Sequence, residues 1–175
     1  MASINPVVLM PAALDARAEA LGAAFVGSLT MGAGQFCTNP GLVIAVDSPA
    51  LGRFLSAAAE ALAAVEPPVM LTPGIHAAYG AGVSALEGND ATTRAAAGKA
   101  SDAPNRCSGA IFTTTDAAFV ADKALGHEVF GAAAVVVRCA SMAAMLGVIA
   151  SLAGQRRPQA RHSKMAPTLS SRLTP

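Results

Sequence analysis

Short apolar runs alternate with helical segments along this chain, and the alternation restricts the possible folds more than any other feature. Four runs are candidate strands: residues 7–10, 42–46, 110–114 and 133–139. The last run, AAVVVRC, is apolar over almost its whole length, which is typical of a parallel strand covered on both faces. We therefore predict an α/β fold with a mostly parallel sheet and flanking helices.

Helix start signals stand between the first three runs. Residues 12–29 carry apolar side chains at helical spacing and predict the first helix. Ser48 with Pro49, and Thr72 with Pro73, each combine an N-cap residue with a proline at the first helical position. The two pairs predict where the second and third helices begin.

The second half of the chain gives weaker signals. Asp116 is predicted to cap a short helix that runs to Leu125, and Ser141 to cap a helix that ends near Leu152. Residues 88–106 are polar and rich in small side chains. They predict a loop or a weak helix.

Composition excludes several classes of protein. Hydrophobic residues make up 53% of the chain and charged residues 13%, which excludes a disordered protein. No apolar run reaches the roughly 18 residues of a membrane span, and the start MASINPVV lacks the basic region of a secretory signal. The three cysteines match no metal-ligand spacing. We expect a cytoplasmic protein with free thiols, no metal and no membrane contact.

Charge divides the chain into two regions. Residues 156–175 contain five basic residues and no acidic one, although the net charge of the whole chain is only +1. The region also contains prolines and no aromatic side chain that could stack on a base. We predict a folded domain over 1–155 and a basic, disordered tail over 156–175 that does not bind nucleic acid.

Cys37 and Glu128 are the candidate chemical groups. Cys37 lies in the glycine-rich stretch MGAGQFCTNPG, where small neighbours would let a substrate approach a nucleophilic thiolate. A lone cysteine is also often a small buried hydrophobe, and Cys107 and Cys139 fit that interpretation better. Glu128, in GHEVFG, is either a solvated loop residue or a carboxylate that binds a group such as a ribose hydroxyl. The residues alone leave these alternatives open.

Three motifs together resemble one enzyme family. GQFCTNPG resembles the catalytic-cysteine loop of the aldehyde dehydrogenase superfamily, and EVFG, whose Glu128 follows Cys37 by 91 positions, resembles its second signature. SINPVV is similar to the segment that follows the family's Glu-Leu-Gly motif. The resemblance runs from about Ser3 to Gln155. SINPVVLMP, VGSLTMGAGQFCTNPGL and GHEVFG are most similar to the α-ketoglutaric semialdehyde (2,5-dioxovalerate) dehydrogenases.

The resemblance implies a mechanism and partners. Cys37 would attack the aldehyde substrate, and its backbone N–H would help to hold the oxyanion. Hydride would pass to NAD or NADP, and water would hydrolyse the thioester left on Cys37. Glu128 would orient the nicotinamide ribose, with Phe130 packed beside it. The full-length relatives of such a chain would form homo-oligomers.

Departures from the family pattern imply a partial catalytic domain. Met1-Ala2 stands where the family has Leu-Gly, so the general-base Glu before it has no counterpart, and Ala132 follows EVFG where many relatives have Pro. The Rossmann-like cofactor domain and the oxyanion-hole Asn would precede this segment. We expect the chain alone to be inactive or nearly so. The alternatives are a non-enzymatic interaction module or remnant, and a cysteine hydrolase that pairs Cys37 with one of His76, His127 and His162.

Overall fold

The computed structural model describes residues 5–155, which form five strands and five α-helices. In chain order these are β1 Pro6–Leu9, α1 Pro11–Thr30, β2 Leu42–Val46, α2 Pro49–Ala64, α3 Pro73–Glu87, β3 Thr93–Ala97, β4 Ala110–Thr115, α4 Asp116–Ala121, β5 Ala133–Cys139 and α5 Met142–Gln155. Two 3₁₀ turns, Met31–Gly34 and Lys123–Gly126, follow α1 and α4. All four predicted strands are present.

The strands form one sheet in the order β1-β2-β5-β4-β3. The first four of these are parallel to their neighbours, and β3 pairs antiparallel with β4 at the edge. The predicted α/β fold with a mostly parallel sheet is therefore confirmed. The last strand of the chain lies at the centre, where Val135 pairs with Leu42 on one side and Phe112 on the other.

Helices cover both faces of the sheet. Alternate residues of β5 point to opposite sides: Val136 packs with α1 and α2, whereas Val135 and Val137 pack on the face covered by α4 and α5. All residues of β5 except Arg138 are buried. Burial on two faces explains why the run AAVVVRC shows no alternation of apolar and polar residues.

Side-chain caps begin most helices where the sequence predicts them. The hydroxyls of Ser48, Thr72 and Ser141 each accept a hydrogen bond, at 3.2 Å, from the backbone N–H three residues later. The prediction that Asp116 is a cap is wrong, because Thr115 holds that position and accepts from the Ala118 N–H.

The predicted helix to Leu125 is interrupted. The α-helix ends at Ala121, and the carboxylate of Asp122 then accepts a hydrogen bond from the Ala124 N–H to begin the second 3₁₀ turn. An aspartate two residues before a backbone N–H offers it an alternative to the helical hydrogen bond. Asp122 therefore divides the segment into two short helical pieces.

The prediction for residues 88–106 is also wrong, since this stretch contains β3. The strand, TRAAA, lacks the branched side chains typical of strands and pairs on one side only. Its ladder is irregular between Arg94 and Ala96, and Ala96 alone among its residues is buried, against the core under α2. An alanine-rich edge strand leaves almost no pattern in the sequence.

The Ser48 cap provides a stability prediction. We expect Ser48→Ala to lower the free energy of unfolding by about 1 kcal/mol, because the Leu51 N–H loses its acceptor. Urea denaturation followed by circular dichroism measures this loss. Ser56→Ala makes the same substitution at an exposed site within α2 and should leave stability equal or slightly higher. Equal midpoints for both variants would contradict a role for the cap.

None of the helices within residues 5–155 combines the length and apolar character that a membrane crossing requires. The prediction for the tail, residues 156–175, lies outside the residues that the structure describes.

Candidate active site

The candidate residues lie at the amino ends of the parallel strands. Cys37 precedes β2 and Glu128 precedes β5, each by five positions. Because these strands are adjacent, parallel neighbours, the segments that lead into them meet at one edge of the sheet. Open α/β sheets usually bind ligands beyond the carboxyl ends of their strands. In this chain the candidate residues lie at the other ends, where the strands begin.

The loop that carries Cys37 begins with unusual backbone geometry. Gly32, Ala33 and Gly34 have φ angles of 56°, 60° and 70°, which turn the chain sharply away from the end of α1. The carbonyl of Phe36 then accepts a hydrogen bond of 3.0 Å from the Asn39 N–H, which forms a tight turn with Cys37 as its second residue. Cys37 is exposed to solvent at this turn.

Two glycines bring the Cys37 loop against the segment that contains Glu128. A β-carbon on Gly34 would lie 2.2 Å from the carbonyl carbon of Gly131, so the two backbones are in direct contact. A β-carbon on Gly131, whose φ is 151°, would lie 2.2 Å from the ring of Tyr79. Only residues without a side chain fit at these two positions.

Tyr79 supports this contact from α3. Its hydroxyl donates to the carbonyl oxygen of Ser108 at 2.6 Å and lies 3.2 Å from that of Ala132. Burial raises the pKa of Tyr79 far above its ordinary value, so the hydroxyl keeps its proton and remains a donor. The tyrosine thereby fixes the backbone just after Gly131.

Glu128 and Phe130 line a small pocket beside the Cys37 loop. Glu128 is half-buried, and Phe130 is 42% exposed. Gly34 and Asn39 from the Cys37 loop form another part of the lining, and His127 also borders it. The structure thus places Cys37, Glu128 and Phe130 in adjoining segments.

The other two cysteines are buried. Cys107 packs with Met70, Tyr79 and Ala132, and burial raises the pKa of its thiol. Burial, followed by the nearby Asp116 carboxylate, raises the pKa of the Cys139 thiol to about 11. Neither thiol is suited to act as a nucleophile at neutral pH.

No histidine supports the hydrolase alternative among the described residues. The ring of His76 hydrogen-bonds the Arg106 carbonyl at 3.0 Å, and neither His76 nor His127 makes a hydrogen bond to Cys37 within residues 5–155. His162 lies outside the described residues. The described part of the chain also contains no group of three metal-ligating side chains.

Three amide side chains that hold Cys37 or its loop were not predicted from the sequence. Nδ2 of Asn5 donates to the Cys37 carbonyl, Nδ2 of Asn39 donates to the Leu29 carbonyl at 3.0 Å, and Oε1 of Gln35 accepts from Leu71 N–H at 3.1 Å. Gln35 and Asn39 stand two positions before and after the cysteine. This proximity in sequence is the one feature that could have pointed to Gln35 and Asn39 as neighbours of the cysteine.

Two curated proteins with the same descriptive name are similar to this chain in sequence. The chain is 48% identical over 155 residues to an α-ketoglutaric semialdehyde dehydrogenase 2 of Azospirillum brasilense, and 35% identical over 156 residues to an α-ketoglutaric semialdehyde dehydrogenase of Acinetobacter baylyi. Each alignment covers 89% of this chain and 30% of the relative. The chain is thus similar in sequence to a segment of these two dehydrogenases. No family model matches it.

Solved aldehyde dehydrogenases share the fold of this segment. Methylmalonate-semialdehyde dehydrogenase from Oceanimonas doudoroffii superposes with a TM-score of 0.67 at 18% identity, over 85% of this chain and 32% of that protein. An NAD-dependent benzaldehyde dehydrogenase from Corynebacterium glutamicum gives a TM-score of 0.64 at 16% identity, over the same shares. The sheet and its helices thus share the fold of about one third of each of these two dehydrogenases.

Proposed function

We propose that this chain supplies the nucleophile and part of the cofactor site of an NAD(P)-dependent aldehyde dehydrogenase, with residues 1–155 as a partial catalytic domain. The observation that carries the proposal is the backbone contact of Gly34 with Gly131. It holds the exposed Cys37 loop against the segment of Glu128 and Phe130. A nucleophile and a cofactor-binding carboxylate need such a fixed relation, because hydride transfer depends on distance and orientation.

Cys37 is the proposed nucleophile. Its sulfur would form a bond to the aldehyde carbon, and the carbonyl electrons would move onto oxygen as an oxyanion. The backbone N–H of Cys37 is the proposed donor to this oxyanion. Loss of hydride from the carbon leaves a thioester on Cys37, and water then releases the carboxylate and restores the thiol.

Glu128 and Phe130 fit a nicotinamide nucleotide. A carboxylate at the rim of a pocket can accept hydrogen bonds from ribose hydroxyls, and a partly exposed aromatic ring can pack against a flat heterocycle. When bound, NAD or NADP would supply the hydride acceptor. We propose that Glu128 orients the nucleotide and that Phe130 limits the movement of its ring.

The proposed substrate is α-ketoglutarate semialdehyde. The names of the two curated relatives support this choice, together with their identities of 48% and 35%. The chain spans 30% of the length of these relatives. A homo-oligomer of the full-length protein and a cytoplasmic location are further proposals, which rest on the family resemblance of the motifs and on the free cysteines. We further propose that a Rossmann-like domain and a general base from outside residues 1–175 complete the site.

An acylation assay tests the role of Cys37. With 4-nitrophenyl acetate, residues 1–175 should release about one nitrophenolate per chain in a burst, since acylation requires only a thiolate and N–H donors. Turnover after the burst should be slow, because general-base activation of water is typically worth about 10²–10⁴ in rate. With aldehydes and NAD(P)+, no absorbance increase at 340 nm is expected from these residues alone.

Two cysteine variants control this assay. Cys37→Ala should abolish the burst, and Cys139→Ala, which removes a buried thiol at the opposite end of β5, should retain it. A parent protein that gives neither a burst nor an acetyl adduct on Cys37 would overturn the proposed nucleophile and favour a non-enzymatic module. NAD(P)H formation by residues 1–175 that depends on Cys37 would overturn the proposed need for a further domain.

A further inference from the structure

We propose that three amide side chains, Asn5, Gln35 and Asn39, position Cys37 for attack, with Asn5 as the contact that fixes the cysteine itself. The inference rests on the proposed role of Cys37 as a nucleophile. It goes further by assigning a function to residues that touch neither the aldehyde nor the nucleotide.

The Cys37 loop needs such support because its tip is exposed to solvent. Phe36 and Cys37 are exposed, and the turn that contains them is closed by one backbone hydrogen bond, from Asn39 N–H to the Phe36 carbonyl. The Gly34 contact with Gly131 fixes only the start of the loop. Without further contacts the thiol would sample many directions.

Asn5 acts directly on the cysteine. It stands immediately before β1, and its Nδ2 atom donates to the backbone carbonyl of Cys37. This hydrogen bond fixes the peptide plane between Cys37 and Thr38, and therefore restricts the ψ angle of Cys37. Since β1 pairs with β2 in the sheet, Asn5 ties the cysteine to the rigid part of the domain.

Asn39 and Gln35 hold the two sides of the loop. Asn39 donates from Nδ2 to the carbonyl of Leu29, in the last turn of α1, which helical hydrogen bonds leave without a donor. Oε1 of Gln35 accepts from the backbone N–H of Leu71, in the connection between α2 and α3. The loop is thus held from the end of α1, from that connection and from the lead-in to β1.

An amide suits the position of Asn5 because of its hydrogen-bonding groups. Its Nδ2 atom can donate to the Cys37 carbonyl, which a carboxylate cannot do. An isosteric change to aspartate therefore removes this hydrogen bond while it keeps the size of the side chain.

Two reactions of Cys37 separate positioning from reactivity. Acylation by 4-nitrophenyl acetate requires the sulfur and an oxyanion donor in fixed relation, whereas alkylation by iodoacetamide requires only the thiolate. For Asn5→Ala, Gln35→Ala and Asn39→Ala we expect acylation about 10- to 100-fold slower than in the parent protein. Alkylation at high pH should change by less than about twofold, because it needs no oxyanion site.

Asn5→Asp and Asn89→Ala complete the experiment. In Asn5→Asp the donor is lost while the size of the side chain is kept, so acylation should slow as it does in Asn5→Ala. Asn89 is an amide that pairs with Asp122 in another part of the fold, and its alanine variant should react like the parent. Acylation at the parent rate in all three anchor variants would overturn the proposal.

The proposed function of Cys37 can be disproved independently of the positioning role of the amides. If the parent protein shows no burst, Cys37 is not the nucleophile of an acyl transfer. Urea denaturation then decides whether the amides hold the loop, and unfolding midpoints equal to the parent's in all three alanine variants would overturn the positioning as well.

Discussion

Gly34→Ala should lower the free energy of unfolding by about 3 kcal/mol and remove the acylation burst. Gly34 has a φ of 70°, and its new methyl group would lie 2.2 Å from the Gly131 carbonyl carbon. The left-handed conformation costs an alanine about 1–2 kcal/mol, and overpacking a close contact typically costs a further 1–3 kcal/mol. Both effects act here because backbone atoms, which cannot rotate away as a side chain does, oppose the methyl group.

Gly27→Ala is the matched control for this variant. Gly27 is exposed within α1, and a β-carbon there would meet no atom within 4 Å. The helix should gain up to about 1 kcal/mol from the substitution. Urea denaturation of both variants beside the parent measures the difference. A Gly34→Ala protein of parental stability with a normal burst would show that the loop does not depend on contact with the Glu128 segment.

Cys37 should react with limiting iodoacetamide at least about 100-fold faster than Cys139 at pH 8. Cys37 is exposed, whereas Cys139 is fully buried at the end of the central strand. With a pKa of about 11, roughly one Cys139 thiol in a thousand would be ionised at that pH, and burial further restricts reagent access. Mass spectrometry of the digested protein locates the adduct.

Urea provides the control for the labelling experiment. In the unfolded chain all three cysteines should react at similar rates, because burial no longer separates them. The Cys37→Ala protein should remain almost unlabelled when folded. Preferential modification of Cys139 in the folded parent would contradict both the exposed loop and the buried end of β5.

The sequence predicts local structure well where burial is regular. Strands covered on both faces appear as apolar runs, and the helix starts at Ser48 and Thr72 combine two independent signals, a hydroxyl and a proline. β3 escapes prediction because only Ala96 is buried and alanine favours no strand. Local sequence patterns do not indicate the order of strands in a sheet, so the central position of β5 could not be predicted.

The candidate site could likewise be predicted only in part from the sequence. Cys37 and Glu128 stand in motifs that can be recognised, but their relation depends on Gly34 and Gly131, which are 97 positions apart in sequence. Thr115 was not predicted as the cap because Asp116, one position later, is the more favoured N-cap residue type. Asn5 acts across a pair of strands, and no sequence spacing reveals such a contact.

The central position of β5 sets the order in which the domain can assemble. A chain emerging from the ribosome contains β1, β2, β3 and β4 before β5, yet β2 and β4 join only through that last strand. Until it emerges, the polypeptide can form two separate ribbons at most, and the Cys37 loop has no Gly131 to rest against. Folding therefore waits for contacts between distant parts of the sequence, which is typically slow. During synthesis Cys37 is therefore present well before the Gly131 segment that supports its loop.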